Sequence, residues 1–116
     1  MYRTGLQPLQ DEGKLLLPYI PPQCTHNSHI FYVRVLDEEA FKRLAALSKA
    51  RKVGIFTHYI PLQLSTGGKL YGRASGELHE SVACNEQLYR LPMWPGLQQA
   101  DVQTVVSLVF EAVRGL

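Results

Sequence analysis

Between His29 and Val35 the side chains alternate: Phe31, Val33 and Val35 fall on one side, Ile30, Tyr32 and Arg34 on the other. A period of two predicts a β-strand with one face in a core and a half-polar second face. The period then changes. Asp37 stands where a helix N-cap is wanted, and Glu38 and Glu39 follow in the first turn, where the helix dipole favours anions. Ala40, Phe41, Leu44, Leu47 and Ser48 form the inward stripe of that helix, and Lys49, Arg51 and Lys52 close it with cations. Near the other end, Val102, Val105, Val106, Val109 and Val113 keep helical spacing across 100–113. So many β-branched residues weaken helix propensity, and packing has to hold the segment together.

The rest of the pattern is weaker. Tyr2, Leu6 and Leu9 share a stripe over 1–12, which reads as the tail of a helix ended by Gly13, with Pro8 arguing against regularity. Residues 14–17 are a short extended run, and Pro18, Pro21 and Pro22 enforce a non-helical path after it. A second β-type run spans 53–62 and ends at Pro61, and 65–76, with four glycines, reads as a mobile loop. A short helix is expected over 80–88 and an extended segment over 89–93. The order β-α-β-loop-α-β-α predicts an α+β domain. Its small sheet has about three strands, largely antiparallel, covered by helices on one face. Tyr19, Ile20, Tyr59, Ile60, Met93 and Trp94 lie beside prolines outside regular elements, where apolar residues suit a docking surface.

Composition narrows this frame. With 116 residues the chain is a single domain, too short for a two-domain enzyme. It is 46% hydrophobic and 19% charged, enough for a packed core. A net charge of +2 is small for a nucleic-acid binder, and no run of 18–20 apolar residues suggests a membrane span. Residues 1–10 lack the apolar stretch of a secretory signal, and the two cysteines, Cys24 and Cys84, are too few for a disulfide framework. The expected compartment is the reducing cytoplasm.

A search for chemistry returns little. Cys24, His26 and His29 have metal-ligand types, but structural zinc wants four ligands in paired clusters, and His58, His79 and Cys84 supply no second pair. No metal is therefore expected. No nucleophile-base-acid set and no paired carboxylates emerge, since Asp37 and Asp101 sit at helix starts and Asp11 near a chain end. Gly67-Gly68-Lys69 lacks the first glycine and the Ser/Thr of a phosphate-binding loop. Even so, Lys69 and Arg73 are cations on a glycine-rich segment and suit an anionic ligand. None of Lys14, Lys42, Lys49, Lys52 and Lys69 has the apolar setting of a Schiff-base lysine. No residue is assigned a catalytic role.

Four motifs nevertheless stand in order along the chain. They are Cys24-x-His26-Asn27-x-His29-Ile30-Phe31-Tyr32-Val33, His58-Tyr59-Ile60-Pro61-Leu62, Gly72-Arg73, and Arg90-Leu91-Pro92-Met93-Trp94-x-Gly96-Leu97. Together they resemble the C-terminal domain of DegT/DnrJ-type sugar aminotransferases, and within that group the TDP-4-keto-6-deoxyhexose transaminase branch. The resemblance implies the small domain of a fold type I enzyme that depends on pyridoxal phosphate. Such enzymes move an amino group, typically from glutamate, onto a nucleotide-linked keto sugar for bacterial surface polysaccharides, lipopolysaccharide among them. It also implies that 1–13 continue a helix joining two domains, and that the Schiff-base lysine belongs to a large partner domain. This chain alone would then bind no pyridoxal phosphate and be inactive, and homo-oligomers are expected. By the same resemblance His58 and Tyr59 face the substrate, and flexibility of the glycine-rich segment would let Lys69 or Arg73 close over a diphosphate. Gln63 stands where the family often has histidine, and Ser81-Val82-Ala83-Cys84-Asn85 departs from the usual Thr/Ser-bearing helix. The rival expectation is an autonomous interaction or nucleotide-sugar-binding module without catalysis.

Overall fold

The computed structural model describes all 116 residues. Five helices, α1 (Tyr2–Asp11), α2 (Glu38–Ala50), α3 (Thr66–Tyr71), α4 (His79–Gln87) and α5 (Gln99–Arg114), accompany four strands. The strands are β1 (Leu15–Leu16), β2 (Phe31–Val35), β3 (Phe56–Thr57) and β4 (Leu88–Leu91). They form one antiparallel sheet in the order β1-β2-β4-β3. The α+β class stands, with four strands in place of about three.

In-register pairs show which side chains share a face. Leu15 pairs with Val35, Val33 with Tyr89 and Phe31 with Leu91. That face meets α1, α2 and α5, whose Leu6, Leu9, Leu44, Leu108 and Val109 are fully buried. The other face carries Leu16, Tyr32, Arg34, Leu88, Arg90 and Phe56, by the alternation of pleated strands. Helix α4 lies beside β2 on that side, where Arg34 reaches Gln87 and Glu80.

The long helices behave as their patterns predict. Asp37 accepts a hydrogen bond from the Ala40 amide at 2.7 Å and starts α2. Asp101 accepts one from the Gln98 amide at 3.0 Å and starts α5, which Gly115 ends in the left-handed region. Two ties cross between them: Arg43 Nε donates to the Ala112 carbonyl at 2.9 Å, and Arg51 pairs with Glu111 at 2.6 Å.

Three segments depart from expectation. Pro8 does not disturb α1, because burial of Tyr2, Leu6 and Leu9 outweighs the backbone bond that a prolyl nitrogen cannot donate. Of the run 53–62 only Phe56 and Thr57 pair, since β4 separates β3 from β2 and leaves it an exposed edge. The glycine-rich segment is not a plain loop. A 3₁₀ turn, Leu62–Leu64, leads into α3, whose start is capped by Ser65 Oγ accepting from the Gly68 amide at 3.0 Å. A local side-chain cap thus overrides the low helix propensity of two glycines. The remaining shifts are of one or two residues: α4 spans His79–Gln87, β4 spans Leu88–Leu91 in place of 89–93, and β2 begins at Phe31 in place of His29.

Candidate functional site at the β3 edge

His58 and Tyr59 follow β3 directly and are both exposed, Tyr59 by 76%. Their rings stand edge to face with centroids 5.2 Å apart. They border an open cleft of about 510 Å³ with Pro61 and Leu62, whose opposite wall is Glu80, Ser81, Cys84 and Asn85 of α4. Lys69 and Arg73 do not enter that cleft. They line a second one of about 650 Å³, with Gln63, Tyr71 and Leu78. Leu62 borders both, so the two clefts adjoin without merging. The four candidate residues therefore fall as two pairs in adjoining clefts.

Arg90 was not singled out by the sequence as a site residue. It sits on β4 opposite Phe56, and its guanidinium carbon lies 5.4 Å from the centre of the Tyr59 ring. Its Nη2 donates to the Thr57 carbonyl at 3.4 Å. Arg90 thereby spans from β4 to the segment that carries His58 and Tyr59. Membership of the Arg-Leu-Pro motif was visible in the chain; the cross-strand register that brings it to Tyr59 was not.

The Cys24–His29 run is held by local turns. Ser28 N–H donates to His26 Nδ1 at 2.9 Å and His29 N–H to Asn27 Oδ1 at 3.1 Å. No group of three or more His, Cys, Asp or Glu side chains is placed to hold a metal ion. Cys24 and Cys84 are unpaired thiols. Of the apolar residues beside prolines, Tyr19, Tyr59, Ile60 and Trp94 are exposed, while Ile20 and Met93 are half-buried. No helix is long and apolar enough to cross a membrane.

Comparison with known proteins agrees with this architecture. Residues 1–110 match the DegT/DnrJ/EryC1/StrS aminotransferase family. The chain belongs to that family. A dTDP-3-amino-3,4,6-trideoxy-alpha-D-glucose transaminase of Micromonospora megalomicea subsp. nigra is 32% identical over 120 residues, covering 99% of this chain and 30% of that protein. The spore coat polysaccharide biosynthesis protein SpsC of Bacillus subtilis (strain 168) is 22% identical over 119 residues, covering 98% and 30%. Among solved structures, the aminotransferase TlmJ of Streptoalloteichus hindustanus superposes with a TM-score of 0.81 at 26% identity, covering 98% of this chain and 29% of that one. This chain thus spans about three tenths of the length of the relatives it matches.

Family membership raises the question of pyridoxal phosphate. Lys14, Lys42, Lys49, Lys52 and Lys69 are all exposed. An amine that carries the cofactor as a Schiff base needs a desolvated or cation-flanked setting that lowers its pKa. None of these five has a dry one, and the lysines of this chain do not fit the cofactor.

Proposed function

We propose that these 116 residues form the smaller, C-terminal domain of an aminotransferase acting on a TDP-linked keto-deoxy sugar. Its cofactor and Schiff-base lysine lie on a separate large domain, and its product serves bacterial surface polysaccharide. The observation that carries the reading is the exposed His58–Tyr59 pair at the sheet edge, above a cleft walled by α4. Both side chains are exposed and make no hydrogen bond within the chain, which supports the reading by leaving them free to meet a ligand. In this role His58 and Tyr59 donate hydrogen bonds to sugar or phosphate oxygens. Lys69 and Arg73, on the adjoining cleft, offer point charges to the diphosphate, an attraction that salt weakens. The exposed Tyr19, Ile60 and Trp94 are proposed to be covered by the large domain or by a second copy. Without its partner domain the chain is inactive.

The test uses an enzyme in which these residues are the final domain. His58→Ala removes a hydrogen bond to a charged group, a loss of about 1.5–3 kcal/mol. KM for the sugar nucleotide should rise roughly ten- to a hundredfold, with the half-reaction of the amino donor slowed far less. Unchanged sugar-nucleotide kinetics would refute the assignment.

A further inference from the structure

Two arginines of the chain are half-buried, Arg34 and Arg90. They stand on neighbouring strands and the same sheet face, because Arg34 is in register with Leu88 and Tyr32 with Arg90. Their surroundings differ. Arg34 is fully provided for: its Nη1 meets Glu80 at 3.1 Å, and its Nη2 donates to Gln87 Oε1 at 2.8 Å. Arg90 forms no ion pair. Of its five N–H donors one reaches the Thr57 carbonyl, at the long distance of 3.4 Å, and Nε is buried with no acceptor at all.

Only one other buried side-chain nitrogen or oxygen in the molecule lacks a partner. It is Gln63 Nε2, five residues beyond His58. Arg90 stands against Tyr59, and Gln63 lines the adjoining cleft with Lys69 and Arg73. A buried donor without an acceptor, above all on a cation, costs free energy that a bound anion would return. The nearby acids are committed: Glu80 to Arg34, and Asp101 to the Gln98 amide. Arg90 is also among the residues lining a cavity of about 580 Å³, with Lys52 as a second cation and Phe56, Met93, Trp94 and Leu97 as apolar wall. The Tyr59 ring, which is not part of that lining, lies 5.4 Å from the guanidinium carbon.

We propose that Arg90 holds the anionic head of a ligand at this edge, a carboxylate or phosphate carried on a body with apolar surface. A planar guanidinium matches either group through two parallel hydrogen bonds, the exposed Nη2 meeting the anion first and the covered Nε being satisfied once it is seated. The inference rests on the reading above that the β3 edge faces a ligand, but it does not require that ligand to be a nucleotide sugar.

The test is a titration of the ¹⁵N-labelled 116-residue chain followed at the arginine Nε–Hε resonances, at constant ionic strength in chloride. One series uses inorganic pyrophosphate and the other succinate. The Arg90 resonance should shift saturably, with Kd on the order of millimolar, while that of Arg34 stays still. Arg90→Lys, followed at the backbone amides of positions 57 and 90 in both proteins, keeps the charge but loses the fork, and should weaken binding about tenfold. Saturation by pyrophosphate alone identifies a phosphate source, by succinate alone a carboxylate source, and each supports the proposal. It is overturned if neither probe moves Arg90, if Arg34 and Arg90 drift together without saturating, or if Arg90→Lys binds undiminished. Saturable shifts at Arg73 with none at Arg90 overturn it while leaving the nucleotide-sugar reading intact. Conversely, an Arg90 response to succinate combined with unaltered sugar-nucleotide kinetics of His58→Ala would overturn that reading and leave this one standing.

Discussion

Gly67 and Gly68 are adjacent in α3, yet alanine should act on them in opposite senses. A Cβ on Gly67 meets nothing within 4 Å. A Cβ on Gly68 falls far inside the 3.0 Å that real Cβ atoms keep, against the backbone carbonyl of Leu62. Backbone cannot swing away as a side-chain tip does, so the 3₁₀ turn and α3 must separate. Two hydrogen bonds go with that junction: Gly68 N–H to Ser65 Oγ at 3.0 Å, and Ser65 O–H to the Leu62 carbonyl at 2.8 Å. At about 0.5–1.5 kcal/mol net each, their loss amounts to about 1–3 kcal/mol. The gain in helix propensity from glycine to alanine returns at most about 1 kcal/mol. No residue of α3 is buried, so the deficit should appear as local opening, with global stability changed by less than about 0.5 kcal/mol. Hydrogen exchange reads this directly at the Lys69 amide, bonded to the Ser65 carbonyl at 3.0 Å. Gly68→Ala should speed that exchange severalfold, and Gly67→Ala should slow it. If both substitutions slow it alike, the contact with Leu62 does not govern the segment and the reasoning fails.

Two further predictions concern the core. Leu108→Ala empties a fully buried position on α5 and should cost about 2–5 kcal/mol by calorimetry, whereas a loss below about 1 kcal/mol would mean that α5 is not packed as described. Burial, aided by the charge of Asp101, raises Tyr2 from 10.0 to about 12. The folded chain therefore keeps the Tyr2 proton between pH 10 and about 12 while the unfolded chain releases it. The stability advantage of the parent over Tyr2→Phe should be complete below pH 10 and shrink as pH rises through that window; a constant difference in chemical denaturation would refute the assignment.

The scaffold was legible because its strongest signals were local and periodic. The alternation of 29–35, the Asp37 cap and the valine stripe of α5 each needed only near neighbours, and each element formed within two residues of its pattern. The pattern of 53–62 misled because β propensity says nothing about partners: β4 takes the place beside β2, and only two residues of the run find a ladder. Glycine content concealed α3, whose cap depends on one hydroxyl at Ser65. At the site, His58 and Tyr59 were reached through resemblance alone, while Lys69 and Arg73 stood out as cations on a glycine-rich segment. Arg90 escaped because its meaning comes from register and from a missing acceptor, neither of which a linear chain displays.

The hydroxyl of Tyr2 donates to the carbonyl of Pro92, ninety positions along the chain, and Glu12 pairs with Arg114. Helix α1 has its own stripe of Tyr2, Leu6 and Leu9, but the surface that receives it is largely α5. During synthesis at about 5–20 residues per second, that surface does not exist until roughly 5–20 s after α1 has emerged. For that interval the three large apolar side chains of α1 lack the α5 surface that covers them in the folded domain. The domain should thus stay open until α5 has been made, and the apolar stripe of α1 is the surface that waits longest for its partner.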